Sequence, residues 1–299
     1  MNRFEGTKVL LTGGGSGIGR ATALRLAAEG AALFAVDLSG EGLAETAAAA
    51  SGPGRIATRV ADVADEAAVV AAVRAAADEL GGLDVLVNVA GIHRTTPIDR
   101  LTVADLHHLF TVNAVGTALF CREALPLLPD RTGVVVNVAS SAAAHGNPYM
   151  TAYAASKGAV LGFSLSLAAE VAHRGIRVVP VSPGSVATPL AGPHVLPPDL
   201  DVSYYGRIRS PFGAAEPEQI AGVIAFAASR DAGYLTGAEL RVDGGVAHLT
   251  RSPWGPSGRR PLSGTGSCPL PERILVFGAA APTVSQSRAP RPLTPYGEP

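Results

Sequence analysis

KVLLTGGGSGIGRATALRLAAEG, residues 8–30, joins a short apolar run to an alanine- and leucine-rich stretch through a turn in which five of the ten positions 10–19 are glycine. Glycine loses more conformational entropy on ordering than any other residue, so a cluster of them belongs where the backbone needs positive φ or where a Cβ would block a close approach. The run before the turn is strand-like. The residues after it repeat their apolar positions at three- and four-residue steps and stop at Gly30, the pattern of a helix. Strand, tight turn and helix in that order form the first half of a βαβ unit, and the N–H groups at such a helix start, together with its dipole, seat a pyrophosphate. On this reading Gly13 makes the turn, Gly17 lets a phosphate near the backbone and Gly19 lets the helix pack on the strand. Gly15, Ser16 and Ile18 complete the cradle. A glycine-rich βα loop with no ligand is the alternative at this point.

The same rhythm runs on. Candidate strands cover residues 8–12, 32–37, 55–61, 84–90, 133–139, 176–182 and 239–243, separated by helical patterns at 19–30 and 65–81 and by long apolar helical stretches at 102–128 and 152–173. Near-continuous apolar strands alternating with helices are the mark of a parallel sheet covered on both faces. The expected fold is therefore α/β: a doubly wound, Rossmann-type, seven-stranded parallel sheet with helices on both faces, in one domain over residues 1–249.

Bulk properties narrow the function. The chain has 299 residues, 47% hydrophobic and 16% charged, with a formal net charge of −1. Its basic residues are scattered, which excludes a nucleic-acid footprint and a polybasic membrane patch. The opening MNRFEGTKVLL lacks the plan of a signal peptide, and no stretch reaches the roughly 18 apolar residues of a spanning helix, so a cytoplasmic protein with no membrane partner is expected. Cys121 and Cys268 have no CxxC partner and the seven histidines show no metal-ligand spacing, so neither a disulfide nor a metal is expected. From Arg251 to Pro299 the chain carries ten of its 23 prolines and six arginines against two acids. Residues 250–299 are accordingly expected to be a disordered tail, the apolar run RILVFGAAA at 273–281 being the one stretch able to dock as a strand.

Asp37 ends the second strand, eighteen residues after Gly19. A carboxylate there accepts hydrogen bonds from both hydroxyls of an adenosine ribose and repels a 2′-phosphate. Ser16 and Leu38 stand where a cation for such a phosphate would be sought, which favours NAD over NADP; capping of the next helix is the alternative role for Asp37. Asp62, after the third strand, is placed to meet the adenine edge or to cap a helix.

The chemistry is read in NVASSAAAHGNPYMTAYAASKGAV, residues 137–160. Tyr153 and Lys157, four apart on a helical pattern, share one face. A free phenol has a pKa of about 10, and an ammonium about 4 Å away at an effective dielectric of about 20 is worth roughly 4 kcal/mol, or about three pKa units, before solvent screening. Tyr153 is thus expected to titrate near neutrality. Lys157 is one of two lysines against 22 arginines, and a compact ammonium suits this tuning better than a guanidinium; a solubilising surface lysine is the alternative. Ser140, at the end of the fifth strand, is placed to hydrogen-bond the substrate oxygen, with Ser141 not separable from it by periodicity.

TGGGSGIG at 12, DV at 62 (Asp62, Val63), NVAG at 88, Asn113, Ser140, YAASK at 153, PGSVAT at 183 and DGG at 243 together resemble the ordered signature of the short-chain dehydrogenase/reductase family over about residues 4–248. The resemblance implies that Tyr153 is the general acid/base, that Ser140 orients and polarises the reacting oxygen, and that Lys157 lowers the tyrosine pKa and holds the nicotinamide ribose. It implies that Asn113 takes part in a proton relay through a water, and that Asn88, Ala90 and Gly91 support the cofactor, with Val89 replacing the asparagine more usual there. Pro183 and Gly184 would shape a turn that closes over the nicotinamide through Val186 and Thr188. The two long helices would pair across a twofold axis in a homodimer or homotetramer.

Substrate is less legible. The proline-, glycine- and aromatic-rich segment 189–213 is expected to be a movable lid. His93, His145, Tyr149 and Tyr205 are candidate pocket residues, half-buried amphipathic side chains being the alternative for each. The expected function is hydride transfer between NAD(H) and a secondary alcohol or ketone. A 3-oxoacyl carrier-protein reductase using NADPH is the rival within enzymes, with Arg131 and Arg174 as docking positions for an acidic carrier. A dinucleotide-binding regulatory protein without turnover is the rival outside them, disfavoured because binding alone does not need a tuned phenol.

Overall fold

A computed structural model describes residues 2–191, 200–201 and 210–246. The expectations for residues 250–299 and for Tyr205 lie outside the described residues. All elements below belong to one compact unit, Met1–Gly255.

The opening stretch forms β1 (Lys8–Thr12) and α1 (Gly17–Ala28), followed by β2 (Ala32–Asp37), α2 (Gly40–Ala48), β3 (Arg55–Val60), α3 (Glu66–Leu80) and β4 (Val85–Asn88). Then come α4 (Val103–Phe110), α5 (Gly116–Ala124), β5 (Val134–Val138), α6 (Thr151–Val171), β6 (Arg177–Pro183), α7 (Pro217–Ala228) and β7 (Leu240–Val242). The seven strands pair in the order β3-β2-β1-β4-β5-β6-β7, every pair parallel. This is the doubly wound sheet that the alternation predicts.

Period-two alternation sorts the strand side chains into two cores. On β1, Leu10 enters a core closed by Val69 and Val73 of α3, Phe120 of α5 and Leu167 of α6. Val9 and Leu11 enter the other, closed by Leu26 of α1 and Ile220 and Ile224 of α7. Leu11 stands opposite Ala35 of β2 and Val87 of β4, so the central strand is fixed in register on both edges.

Four strands are shorter than expected, β4 by three residues, β5 and β7 by two each and β3 by one. β4 stops at Asn88 because the next two amides, Val89 and Ala90, donate to Oγ1 of Thr12 at 3.2 Å each instead of continuing the ladder. The helical stretch 102–128 is not continuous. α4 gives way to a π-helical turn at Thr111–Val115 before α5 begins at Gly116, where a Cβ would stand 2.9 Å from the Val63 carbonyl oxygen. Asn113 sits in that turn, a widened geometry often found at functional sites. Ser39 caps α2 through Gly42 N, and a Glu216–Gln219 capping box with Pro217 at the first position starts α7. Among the described residues, no helix is long and apolar enough to cross a membrane, and no three His, Cys, Asp or Glu side chains gather as a metal site.

Strand order reverses between β1 and its neighbours β2 and β4, and parallel α/β sheets open a crevice there, outside the carboxyl ends of the strands.

Candidate active site

A cleft of about 850 Å³ occupies that crevice, and all seven strands contribute to it: Gly13 after β1, Asp37 of β2, Ala61 after β3, Val89 after β4, Ala139 after β5, Pro183 of β6 and Val246 after β7.

One wall is the glycine turn. Gly13 has φ +76°, and a Cβ on it would lie 2.7 Å from Ala90 N. Gly19 is packed harder still, since its Cβ would come within 1.8 Å of the Gly13 carbonyl oxygen. Ser16, Gly17, Ile18 and Gly19 line the cleft. Ser16 is the N-cap of α1, its side chain makes no capping hydrogen bond, and the first turn carries no acid. The start of α1 therefore offers its N–H groups and dipole to an outside anion, so the chain's own residues fit a bound pyrophosphate. Gly15 does not line the cleft; its N–H donates to Oδ2 of Asp37 at 2.9 Å, while Ser39 N donates to Oδ1. Asp37 and the exposed Leu38 both line the cleft. Arg20, the nearest arginine to this turn in sequence, is tied to Glu45 and to the carbonyls of Gly15 and Gly42. Asp62 and Val63 also line the cleft, and Asp62 Oδ1 accepts from Ala64 N in a local turn, whereas the cap of α3 is Asp65. Thr188 packs against Gly17, whose Cβ would lie 3.0 Å from its methyl carbon, so the PGSVAT segment with Pro183, Gly184 and Val186 reaches over the turn.

The opposite wall is side chain. Ser140 caps a short 3₁₀ turn, Ser141–Ala143, and its Oγ accepts from Ala142 N at 3.2 Å. It stands near enough to the Tyr153 phenol to lower its pKa. Tyr153 lies in the first turn of α6, one turn before Lys157, as the four-residue spacing predicts. Lys157 is buried and its Nζ donates to the Val138 carbonyl at 2.8 Å. Burial pushes its ammonium down to about pKa 8. Burial pushes the Tyr153 phenol up, and Ser140 pulls it back. The phenol therefore lies above its ordinary value here, against the expectation of one near neutrality, because burial outweighs the lowering by Ser140.

Asn113 is fully buried, accepting from Ile92 N at 2.8 Å through Oδ1 and donating to Ile92 O and to Ser156 Oγ. Ser156 in turn donates to the Tyr153 carbonyl. Gly91 marks where these groups meet, since its Cβ would lie 2.9 Å from Asn113 Oδ1 and 3.2 Å from Lys157 Nζ. Ala90 and Gly91 line the cleft, but Asn88 does not. Its amide points into the core, donating to Asn137 Oδ1 at 2.9 Å and to Cys121 Sγ, so it braces β4 on β5. Cys121, enclosed there, has its thiol pushed up to about pKa 12 by burial.

Of the substrate candidates, His93 lines the cleft with its ring edge-on to Tyr153, centroids 4.7 Å apart. His145 lines it too. Tyr149 does not; at φ +61° its carbonyl accepts from Thr96 N, stitching two loops together. Residues that sequence reading missed are Thr12, Ser156, Asn147 and the Val138 carbonyl. Ser156 carried a local signal, a hydroxyl three residues after Tyr153 on the same helix; the others depend on long-range neighbours. Arg174, a proposed carrier-docking position, is engaged with Asp130 and with the carbonyls of Leu125 and Leu128.

A family model described as enoyl-(acyl carrier protein) reductase matches residues 13–247. The chain is 38% identical over 247 residues to the 3-oxoacyl-[acyl-carrier-protein] reductase FabG of Thermotoga maritima, covering 82% of this chain and 99% of that protein. It is 36% identical over 253 residues to levodione reductase of Leifsonia aquatica, covering 81% and 95%. A crystal structure of levodione reductase superposes with a TM-score of 0.75 at 35% identity, over 82% of this chain and 99% of that one. A short-chain dehydrogenase from Burkholderia cenocepacia in complex with NADP superposes with a TM-score of 0.73 at 34% identity, over 82% and 100%.

Proposed function

The chain belongs to the short-chain dehydrogenase/reductase family, and from that premise we propose that it interconverts a secondary alcohol and a ketone with NAD(H), Tyr153 serving as the general acid/base. The observation that supports this most is the meeting of Ser140, Tyr153 and Lys157 at the floor of a cleft whose other wall is an uncapped helix start.

The bound nicotinamide supplies the two-electron chemistry. In the reducing direction the Tyr153 hydroxyl hands its proton to the substrate oxygen, which Ser140 holds by a second hydrogen bond. The phenolate left behind gains the field of the Lys157 ammonium one turn along α6. Asn113 acts as a positioning residue, fixing Ile92 and Ser156 around that lysine, and a water relay through it remains part of the proposal. Asp37 accepts from the adenosine ribose hydroxyls. Lys157 is the only lysine or arginine among the described cleft residues, so a 2′-phosphate finds no counter-charge there, which supports NAD over NADP.

A carrier-protein reductase is the second reading, favoured by the likeness to FabG and weakened by the engagement of Arg174 described above. A panel of hydroxy and keto compounds followed by NADH absorbance, run in parallel with NADP(H), tests both. Turnover of small ketones with NADH is expected; turnover confined to carrier-linked thioesters with NADPH overturns the first reading. The exposed side chains of Val115 and Leu165, on the π-turn before α5 and on α6, support assembly of two or four copies, measurable by light scattering.

A further inference from the structure

The carboxylate of Asp37 is aimed by a peptide that has a glycine on each side. Gly15 N donates to its Oδ2 at 2.9 Å, and the carboxylate lies so close over the turn that a Cβ on Gly15 would stand 2.8 Å from its Cγ. Turning this peptide over changes ψ of Gly14 and φ of Gly15, and glycine is the residue that takes either sign of φ at no steric cost. A flip would exchange the N–H that faces Asp37 for a carbonyl oxygen. Oxygen against carboxylate is repulsive, so the side chain would leave the position in which both of its oxygens keep lone pairs for ribose hydroxyls. The sequence of the turn leaves that flip open, and a neighbouring element has to close it.

The other end of the peptide shows how it is closed. Thr46 of α2 is fully buried, and its Oγ1 donates to the buried Gly14 carbonyl at 2.8 Å. The Gly42 carbonyl also lies within reach of that hydroxyl, at 2.9 Å, but it has the Arg20 guanidinium as a further donor. Arg20 Nε donates to Thr46 Oγ1 at 3.1 Å and fills its acceptor side, which leaves the hydroxyl proton for a carbonyl. Arg20 Nη2 holds the next carbonyl, that of Gly15, at 2.6 Å. α2 lies directly on the turn, since a Cβ on Gly42 would come within 2.6 Å of that same Gly15 oxygen. Guanidinium, hydroxyl, peptide and carboxylate thus form one chain of aligned dipoles, in which each bond strengthens the next. Neither Thr46 nor Arg20 lines the cleft, so both act on a bound dinucleotide through the turn.

We propose that Thr46 is a positioning residue for dinucleotide selectivity: its hydroxyl locks the Gly14–Gly15 peptide with the N–H toward Asp37 and keeps the carboxylate aimed at the adenosine ribose. This rests on the reading of Asp37 as the group that selects NAD, and deepens it. A nucleotide with a free 2′-hydroxyl gains from an aimed carboxylate. One with a 2′-phosphate is repelled by it, so release of the lock weakens the first and leaves the second no worse.

The test measures dissociation constants for NADH and NADPH by nucleotide fluorescence in the wild type, Thr46→Val, Thr46→Ser and Arg20→Met. In Thr46→Val the ratio of NADPH to NADH constants should fall about fivefold, the size of one lost hydrogen bond. Thr46→Ser returns the hydroxyl and should keep the ratio within about twofold of wild type. A merely structural role would weaken both nucleotides together; an unmoved ratio in Thr46→Val, or one that serine does not restore, overturns the proposal. Should Thr46→Val not fold, Arg20→Met decides at a partly exposed site: a ratio lowered about twofold or more is expected, and an unmoved one overturns the proposal. Failure of the wider reading looks different. A wild type without preference for NADH, or an Asp37→Ala variant that keeps the preference, removes NAD selection by Asp37 and this proposal with it, whereas failure in the Thr46 variants alone leaves that reading standing.

Discussion

The two walls of the cleft are made of different material. Along the glycine turn the working groups are main-chain N–H donors at the head of α1, with one carboxylate laid across Gly15. Along α6 they are side chains buried against one another, including an ammonium held out of water. Main-chain donors cost nothing to keep, since every helix start has them. A buried charge costs stability in every molecule, whether or not it is turning over. The first wall is thus a consequence of the fold, and the second is a strain that the fold carries for its chemistry.

That contrast breaks first at Tyr153. Tyr153→Phe should lower kcat by about 1,000-fold while dinucleotide affinity, set by the other wall, stays within a few fold; undiminished turnover removes the acid/base role. Lys157 offers the next largest effect, visible in stability. Its folded pKa of about 8 lies below the ordinary 10.5, so the unfolded chain binds more protons between those values. Below pH 8 the folded state carries the cost of the buried ammonium, about 3 kcal/mol. The cost fades as pH rises through that window. Urea unfolding of wild type and Lys157→Met across it should show the wild type gaining about 3 kcal/mol relative to the variant; parallel curves would mean the ammonium is not strained.

The glycine wall yields to a methyl group. Gly19→Ala places a carbon against the Gly13 carbonyl, and about 2 kcal/mol of stability should be lost, together with dinucleotide binding, both measurable in one thermal titration. Asp37→Ala is milder and sharper: the ratio of NADP to NAD dissociation constants should fall about tenfold, and an unchanged ratio would place selectivity elsewhere. Smallest of all, deleting residues 251–299 should leave melting temperature and NADH affinity unaltered, as the proposed tail boundary requires.

Legibility in the sequence followed the same division. The βαβ rhythm, the helix start after Gly13 and the spacing from Tyr153 to Lys157 are local, and local spacing is what periodicity measures. Asn88 shows the limit. Its place in NVAG marks it for the cofactor, yet its amide bonds Asn137 on the neighbouring strand, a partner 49 residues away that no local pattern announces. Tyr149 looked like a pocket residue by type alone, and a left-handed backbone takes it out of the cleft.

By itself, then, the sequence determined the order of strands and helices, the parallel sheet and the positions of the glycine turn, Ser140, Tyr153 and Lys157, because each of these follows from spacing along the chain. Tertiary structure alone decided that Lys157 donates to Val138, that Thr12 ends β4, that Asn113 braces Ile92 and Ser156, and that Asn88 bonds Asn137 in the core. Those facts depend on which strand lies beside which and on how deeply each group is shielded from water, and neither is a property of neighbouring residues in the chain.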